Sequence, residues 1–209
     1  VGMIGRGARL SLGQGWLRFS ATRRFAELAG DAPESLPAKR LALDSSNTTI
    51  TFGDRLLMKA YRRLQPGMNP ELEMGRFLTE IAFPNIAPLA GALEYENEGG
   101  DHTTLVLLQG FVANQGDAWS FTLDYLKRFL TDCVEQPNVV REAGEKAHAV
   151  YRLFAGTLGQ RTGELHRALA QMTGDPAFDP EPITATDMAQ WSERIRTEVE
   201  ITFERLEQA

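Results

Sequence analysis

With 209 residues, 43% of them apolar and 24% charged, the chain can bury the core of one large domain or two small ones. No apolar run approaches the ~20 residues of a membrane-spanning helix, and no basic segment ahead of an apolar core marks a secretory signal. The lone cysteine, Cys133, excludes an internal disulfide and fits a reducing, cytoplasmic setting. The net charge of −6 is uneven, since residues 1–65 hold 11 Lys+Arg against 5 Asp+Glu and residues 66–209 hold 11 against 23. A basic first third can face an anion, or Arg6, Arg9, Arg18, Arg23 and Arg24 can simply solvate strand faces.

In chain order, Leu10, Leu12, Trp16, Leu17 and Phe19 flank Gly13-Gln14-Gly15, the pattern of a hairpin. A short apolar patch, Phe25 to Ala29, predicts a turn of helix before a Pro- and Gly-containing connection. Leu41 and Leu43 predict a strand ending at Asp44. Thr48, Ile50 and Phe52 predict a second, and Leu56 to Tyr61 a third, with Gly53-Asp54 as the turn between the last two. Asn69-Pro70-Glu71 announces a helix, with a capping Asn, Pro at the first helical position and an acid in the first turn. Two more strands follow, Leu89 to Tyr95 and Thr103 to Gln109.

Beyond Gly116 the pattern turns helical. Helices are predicted over Phe121 to Val134, over residues 142–172, and from Thr184 or Thr186 onward, where Thr184 and Asp187 have capping-box spacing. Gly156, Gly159 and Gly163 fall on one side of the long helix, which predicts a closely approaching backbone there. Strands first and helices second indicate an α+β fold. The expected divisions are a cap over residues 1–35, a strand-rich lobe over 36–112 and a helical segment over 113–209.

The chemistry-bearing residues start with Lys59, a lysine among apolar neighbours in the middle of a strand. A fixed ammonium there can hold phosphate oxygens as a point charge, given a carboxylate to place it. Glu73 and Glu80 share a helix face and either could serve; the alternative is that all three are solvated surface residues. Ser45, Ser46, Asn47 and Thr48 crowd donors into the turn before the strand, as an anion-binding loop would and as many ordinary loops do. Gln109-Gly110-Phe111-Val112, at the junction of the two halves, can hydrogen-bond a planar base or merely connect them. Asn114 to Trp119 is either a turn or the rim of a cleft. No glycine-rich phosphate motif occurs, and His102, His148 and His166 have no metal-ligand spacing; His166 is expected to be packed or capped.

Residues Ser46-Asn47-Thr48, Phe52 to Lys59, Arg62-Arg63-Leu64 and Pro66 to Glu73 resemble the amino-terminal lobe of bacterial maltokinases, above all those fused behind a trehalose synthase domain. Gly75 to Glu80, Leu89 to Tyr95, Leu108 to Trp119 and Leu158 to His166 extend the likeness over roughly residues 36–209. The resemblance implies a kinase-like fold of the aminoglycoside-phosphotransferase type, with an antiparallel-sheet lobe, that transfers the γ-phosphate of ATP to maltose. It implies that Lys59 meets the ATP phosphates with Glu73 as partner, and Glu80 as the fallback. It further places Ser46 and Asn47 in the phosphate-covering loop, and Gln109, Gly110, Phe111 and Val112 at adenine. Mg²⁺ is implied for the full-length protein, with its ligands elsewhere.

The family's catalytic His-Gly-Asp-x-His and its Asp-Phe metal motif do not occur in these residues. With no initiator methionine at Val1 and a helical pattern running to Ala209, the chain is expected to be an inactive piece of a larger enzyme that lacks its carboxy-terminal lobe. The expected partners are ATP, maltose and a trehalose synthase domain in cis, without nucleic acid or membrane. The rival readings are a non-catalytic nucleotide-binding or docking domain and, through the basic first third, a nucleic-acid binder.

Overall fold

The computed structural model describes residues 1–41, 47–176 and 178–207. The chain divides into two compact units, Val1–Arg161 and Thr162–Ala209. The first is built on an antiparallel sheet of seven strands in the order β1-β2-β6-β7-β5-β4-β3 among the described residues. Its strands are β1 (Arg9–Leu12), β2 (Gly15–Ala21), β3 (Ala38–Leu41), β4 (Asn47–Phe52), β5 (Leu56–Tyr61), β6 (Leu89–Asn97) and β7 (His102–Gly110). The expected hairpins are present. The predicted continuation of β3 through Leu43 to Asp44 lies outside the described residues.

Alternation along the central strands assigns each face its cover. On one face Leu56, Ala90 and Leu108 pack with Ile4 and Ala29, from the short helices α1 (Gly2–Gly5) and α2 (Phe25–Ala29). On the other face Leu89, Ala92 and Leu107 pack with Leu72 of α3 (Pro70–Glu80). The amino-terminal segment thus closes the back of the sheet and α3 closes the front. Leu56, Leu72, Leu107 and Leu108 are wholly buried, each contributing roughly 2 kcal/mol by removal of apolar surface from water.

Arg55 ties the back layer down. Its guanidinium donates to the Leu28 carbonyl at 3.0 Å and the Glu27 carbonyl at 2.7 Å, at the carboxy-terminal end of α2. On the front, the Thr79 hydroxyl, 1% exposed, accepts from the Leu89 N–H at 2.8 Å and anchors the last turn of α3 to β6.

The helical part follows the sequence reading less closely. Helix α4 (Ala118–Glu135) starts at an Asp117 cap. The continuous helix expected over 142–172 is interrupted: α5 (Pro137–Ala143) ends at Gly144, with φ 52°, and a 3-10 turn, Gly144–His148, leads into α6 (Ala149–Leu169). Proline at the first position starts α5, a signal the apolar periodicity masked. Aromatic rings join α4 to α6, with Tyr125 stacked on Tyr151 at 4.5 Å and Phe121 tilted against Phe154 at 4.8 Å. The Tyr125 hydroxyl also hydrogen-bonds His148 Nδ1. Among the described residues no backbone closes on Gly156, Gly159 or Gly163 as expected: a Cβ on any of the three would have nothing within 4 Å.

In the second unit, α7 (Ala185–Glu207) begins with the capping box foreseen. The Thr184 N–H donates to Asp187 at 2.8 Å, and the Asp187 N–H returns to the Thr184 hydroxyl at 3.2 Å. No helix among the described residues is long and apolar enough to cross a membrane.

Candidate functional site

Lys59 lies near the middle of the sheet, opposite Thr49 of β4 and Leu107 of β7. Its side chain therefore leaves the front face, the one α3 covers. Helix α3 is started by Asn69, whose side-chain oxygen accepts from the N–H groups of Glu71 at 2.9 Å and Leu72 at 3.2 Å. Proline at 70 brings no donor of its own, so this one cap serves the first two free amides of the helix. Leu72, buried against Leu89, Ala92 and Leu107, sets the rotation of the helix. Its neighbour Glu71 is thereby turned toward Lys59.

Glu71 is the carboxylate that meets the lysine, and this corrects the expectation of Glu73 or Glu80. Glu71 Oε1 pairs with Lys59 Nζ, the two side chains being 39% and 32% exposed. Two residues along an α-helix are ~200° of rotation, so Glu73 points elsewhere once Leu72 is buried. Glu80 pairs instead with Arg23, at 3.2 Å.

Tyr61, named by no expectation for the site, joins the pair. Two residues after Lys59 on the same strand face, it donates its hydroxyl to Glu71 Oε2 at 2.6 Å. Burial pushes the Glu71 carboxyl up, but hydrogen bonds from Lys59 and Tyr61 and the lysine charge outweigh it, and the group is held below its ordinary value. Burial, followed by the hydrogen bond to Glu71 and its charge, pushes the Tyr61 phenol well above its usual value; a hydrogen bond with Asn69 opposes them. The signals for both residues were available: i,i+2 spacing on a strand for Tyr61, and the first helical turn after a capped proline for Glu71.

The remaining expected residues fall around this pair. Asn47 is the first residue of β4 and lies opposite Tyr61, so the chain enters β4 at the Tyr61 end of β5. Ser46 and the rest of its loop, residues 42–46, lie outside the described residues. Gln109 pairs with Leu57, two residues from Lys59, or about 7 Å along the strand. The Gly110 N–H is taken by the Pro88 carbonyl and the Phe111 N–H by the Arg55 carbonyl, both at 2.8 Å. A Cβ on Gly110 would come 3.0 Å from the Leu28 side chain and 3.2 Å from Pro88, a tight fit that those side chains would have to yield to slightly. Val112, 53% exposed, follows where the chain leaves the sheet.

Asn114 to Trp119 is both a turn and a rim. Asn114 donates to the Val112 carbonyl at 3.1 Å and accepts from the Gly116 N–H at 3.2 Å, and Asp117 caps α4 by accepting from the Ser120 N–H at 2.8 Å. Gln115, Asp117, Ser120, Phe121 and Phe154 line a groove open to solvent, while Trp119 is 71% exposed. A second groove, between α4 and α5, is lined by Tyr125, Arg128, Asp132 and Val140. Lys59 lines neither groove, and the convergence of a strand lysine, a helix carboxylate and a phenol is at Lys59. His166 is exposed rather than packed. Among the described residues no three His, Cys, Asp or Glu side chains converge where a metal ion could sit.

The fold is α+β, with a helix packed on an antiparallel sheet followed by a helical segment. Two solved structures share it. One is a glucosamine kinase in complex with glucosamine, ADP and inorganic phosphate, at TM-score 0.59 and 22% identity over 95% of this chain. The other is a glucosamine kinase in crystal form B, at TM-score 0.52 and 19% identity over 92% of this chain. The chain spans 40% of the length of the first and 52% of the second. No protein-family model matches the chain.

Proposed function

We propose that this chain is the ATP-side portion of a sugar kinase, and that Lys59, held by Glu71, receives the nucleotide phosphates. The Lys59–Glu71 pair carries the reading. A lysine on a central strand tied to a carboxylate on the covering helix is the arrangement that places an ammonium against phosphate oxygens in protein kinases. Val112, just past two hinge amides already taken up by the fold, offers backbone to a purine edge. Ser46 and Asn47, the latter where β4 begins, are assigned to cover the phosphates, and Gln109, Gly110 and Phe111 to flank the base. In this reading residues 1–35 are a cap, 36–112 the nucleotide lobe and 113–209 the start of a helical lobe.

Two supports bear on the acceptor. The resemblance of Phe52 to Glu73 and Leu108 to Trp119 to maltokinases favours maltose, with a trehalose synthase domain in cis. The fold likeness to glucosamine kinases supports a carbohydrate kinase in general. Among the described residues no three His, Cys, Asp or Glu side chains converge to hold Mg²⁺, whose ligands the resemblance places elsewhere in the full-length protein. The test pairs calorimetry of ADP on this chain with phosphoryl transfer from ATP to maltose or glucosamine by the full-length protein. ADP binding by the chain, transfer to maltose only by the full-length protein, and loss of both in Lys59→Met are expected. Transfer catalysed by residues 1–209 alone would refute the assignment of the catalytic groups to another segment, and absence of ADP binding would refute the nucleotide site.

A further inference from the structure

Lys59 engages only one oxygen of Glu71. A half-exposed ion pair contributes only about 0–1 kcal/mol and does not by itself fix the orientation of two long side chains. The second oxygen is held by the Tyr61 hydroxyl at 2.6 Å, within the range of a charge-assisted O–H···O⁻ bond. The phenol is itself fixed, because its ring packs against the cluster of Leu72, Leu89, Ala92 and Leu107. Lys59 and Tyr61 leave the same strand face two residues apart, so one carboxylate spans both. The start of α3 completes the arrangement, since the Asn69 side chain caps the Glu71 N–H at 2.9 Å. We propose that Tyr61 is a positioning residue: its hydroxyl locks the Glu71 carboxylate so that the Lys59 ammonium is presented to the phosphates in one direction.

This role rests on the nucleotide reading above. It assigns the ordering of the lysine to three side chains rather than two. Glu71 carries the charge and Tyr61 removes its rotational freedom, so less ordering is left to be done when nucleotide arrives. Tyr61→Phe keeps the packed ring and deletes only the hydroxyl.

The experiment, in the full-length protein, measures ADP affinity by calorimetry for the parent, Tyr61→Phe, Glu71→Gln and the double variant. It also measures the Tm of each and the titration of the Glu71 side-chain carboxyl by ¹³C NMR. Because the Tyr61 hydroxyl acts on ADP only through Glu71 and Lys59, Tyr61→Phe is expected to lower affinity about three- to tenfold, the size of an ordinary net hydrogen bond. In the Glu71→Gln background the same substitution is expected to change affinity less than about twofold, because the coupling has nothing left to act through. The Glu71 midpoint is expected below its ordinary value in the parent and higher in Tyr61→Phe. An unchanged midpoint, or an affinity loss that persists undiminished in Glu71→Gln, overturns the positioning role. A parent protein that binds no ADP overturns the nucleotide reading and this role with it, whereas a parent that binds ADP as tightly as Tyr61→Phe overturns the role alone.

Discussion

Replacing Asn69 with alanine tests whether the start of α3 sets the geometry of the site. The Asn69 side chain accepts from two amides, at 2.9 and 3.2 Å, and Pro70 supplies no alternative donor or acceptor in its side chain. Loss of a helix cap costs about 0.5–2 kcal/mol, and serving two amides places Asn69→Ala in the upper half of that range. In a chain of this size about 1–2 kcal/mol corresponds to a fall in Tm of roughly 2–8 °C. Asn69→Ser keeps a capping oxygen and is expected to recover most of the loss. Because Glu71 is one of the two capped residues, Asn69→Ala is also expected to weaken ADP binding. Thermal unfolding followed by circular dichroism, with calorimetry on the same samples, reads both effects. Equal Tm values for the alanine and serine variants would show that the cap does not hold the helix start.

Three further outcomes follow from the same structure. Thr79→Val removes the acceptor of the Leu89 N–H inside the front layer and is expected to cost about 1–3 kcal/mol in urea unfolding, the penalty of an unsatisfied buried donor. Gly159→Ala meets open space and is expected to stabilise its helix by up to about 1 kcal/mol; lower helicity by circular dichroism would show that something packs against the glycine stripe. Acidification has a defined sign. Backbone and side-chain hydrogen bonds from Ser120 hold Asp117 below its usual 3.8, and those from Thr184 do the same for Asp187. Glu71 is held below 4.5 despite its burial. Groups with lowered folded-state values add stability above their unfolded values and lose it as pH falls through the folded ones. Unfolding midpoints are therefore expected to hold from neutral pH down to about 4.5 and to drop below it, and Asp117→Asn with Asp187→Asn is expected to flatten part of that drop.

Much of the architecture could be read from local chemistry. Alternation at Thr48 to Phe52 and Leu56 to Tyr61, the Gly53 turn and the Asn69-Pro70 cap each act within a few residues, and each is present as expected. Strand order is different: the amino-terminal hairpin joins the sheet by pairing β2 with β6, a contact across some 75 residues of chain that no local pattern encodes. The site shows the same division. Lys59 stood out because a lysine is unusual in an apolar strand. Its partner depended on the rotation of α3, which is set by Leu72 meeting Leu89 and Leu107 across the core. A shared helix face pointed to Glu73 and Glu80, whereas burial of Leu72 brought Glu71. Gly156, Gly159 and Gly163 misled for the converse reason, since spacing can suggest a close neighbour without supplying one.

Whether the Lys59 ammonium faces nucleotide phosphates can be read directly by affinity labelling. An acyl-phosphate analogue of ATP acylates the lysine nearest the bound phosphates, and peptide mass spectrometry identifies that lysine. Labelling of Lys59, blocked by excess ATP and lost in Glu71→Gln, is expected. Labelling that spares Lys59, or that ATP does not block, would contradict a phosphate-facing Lys59.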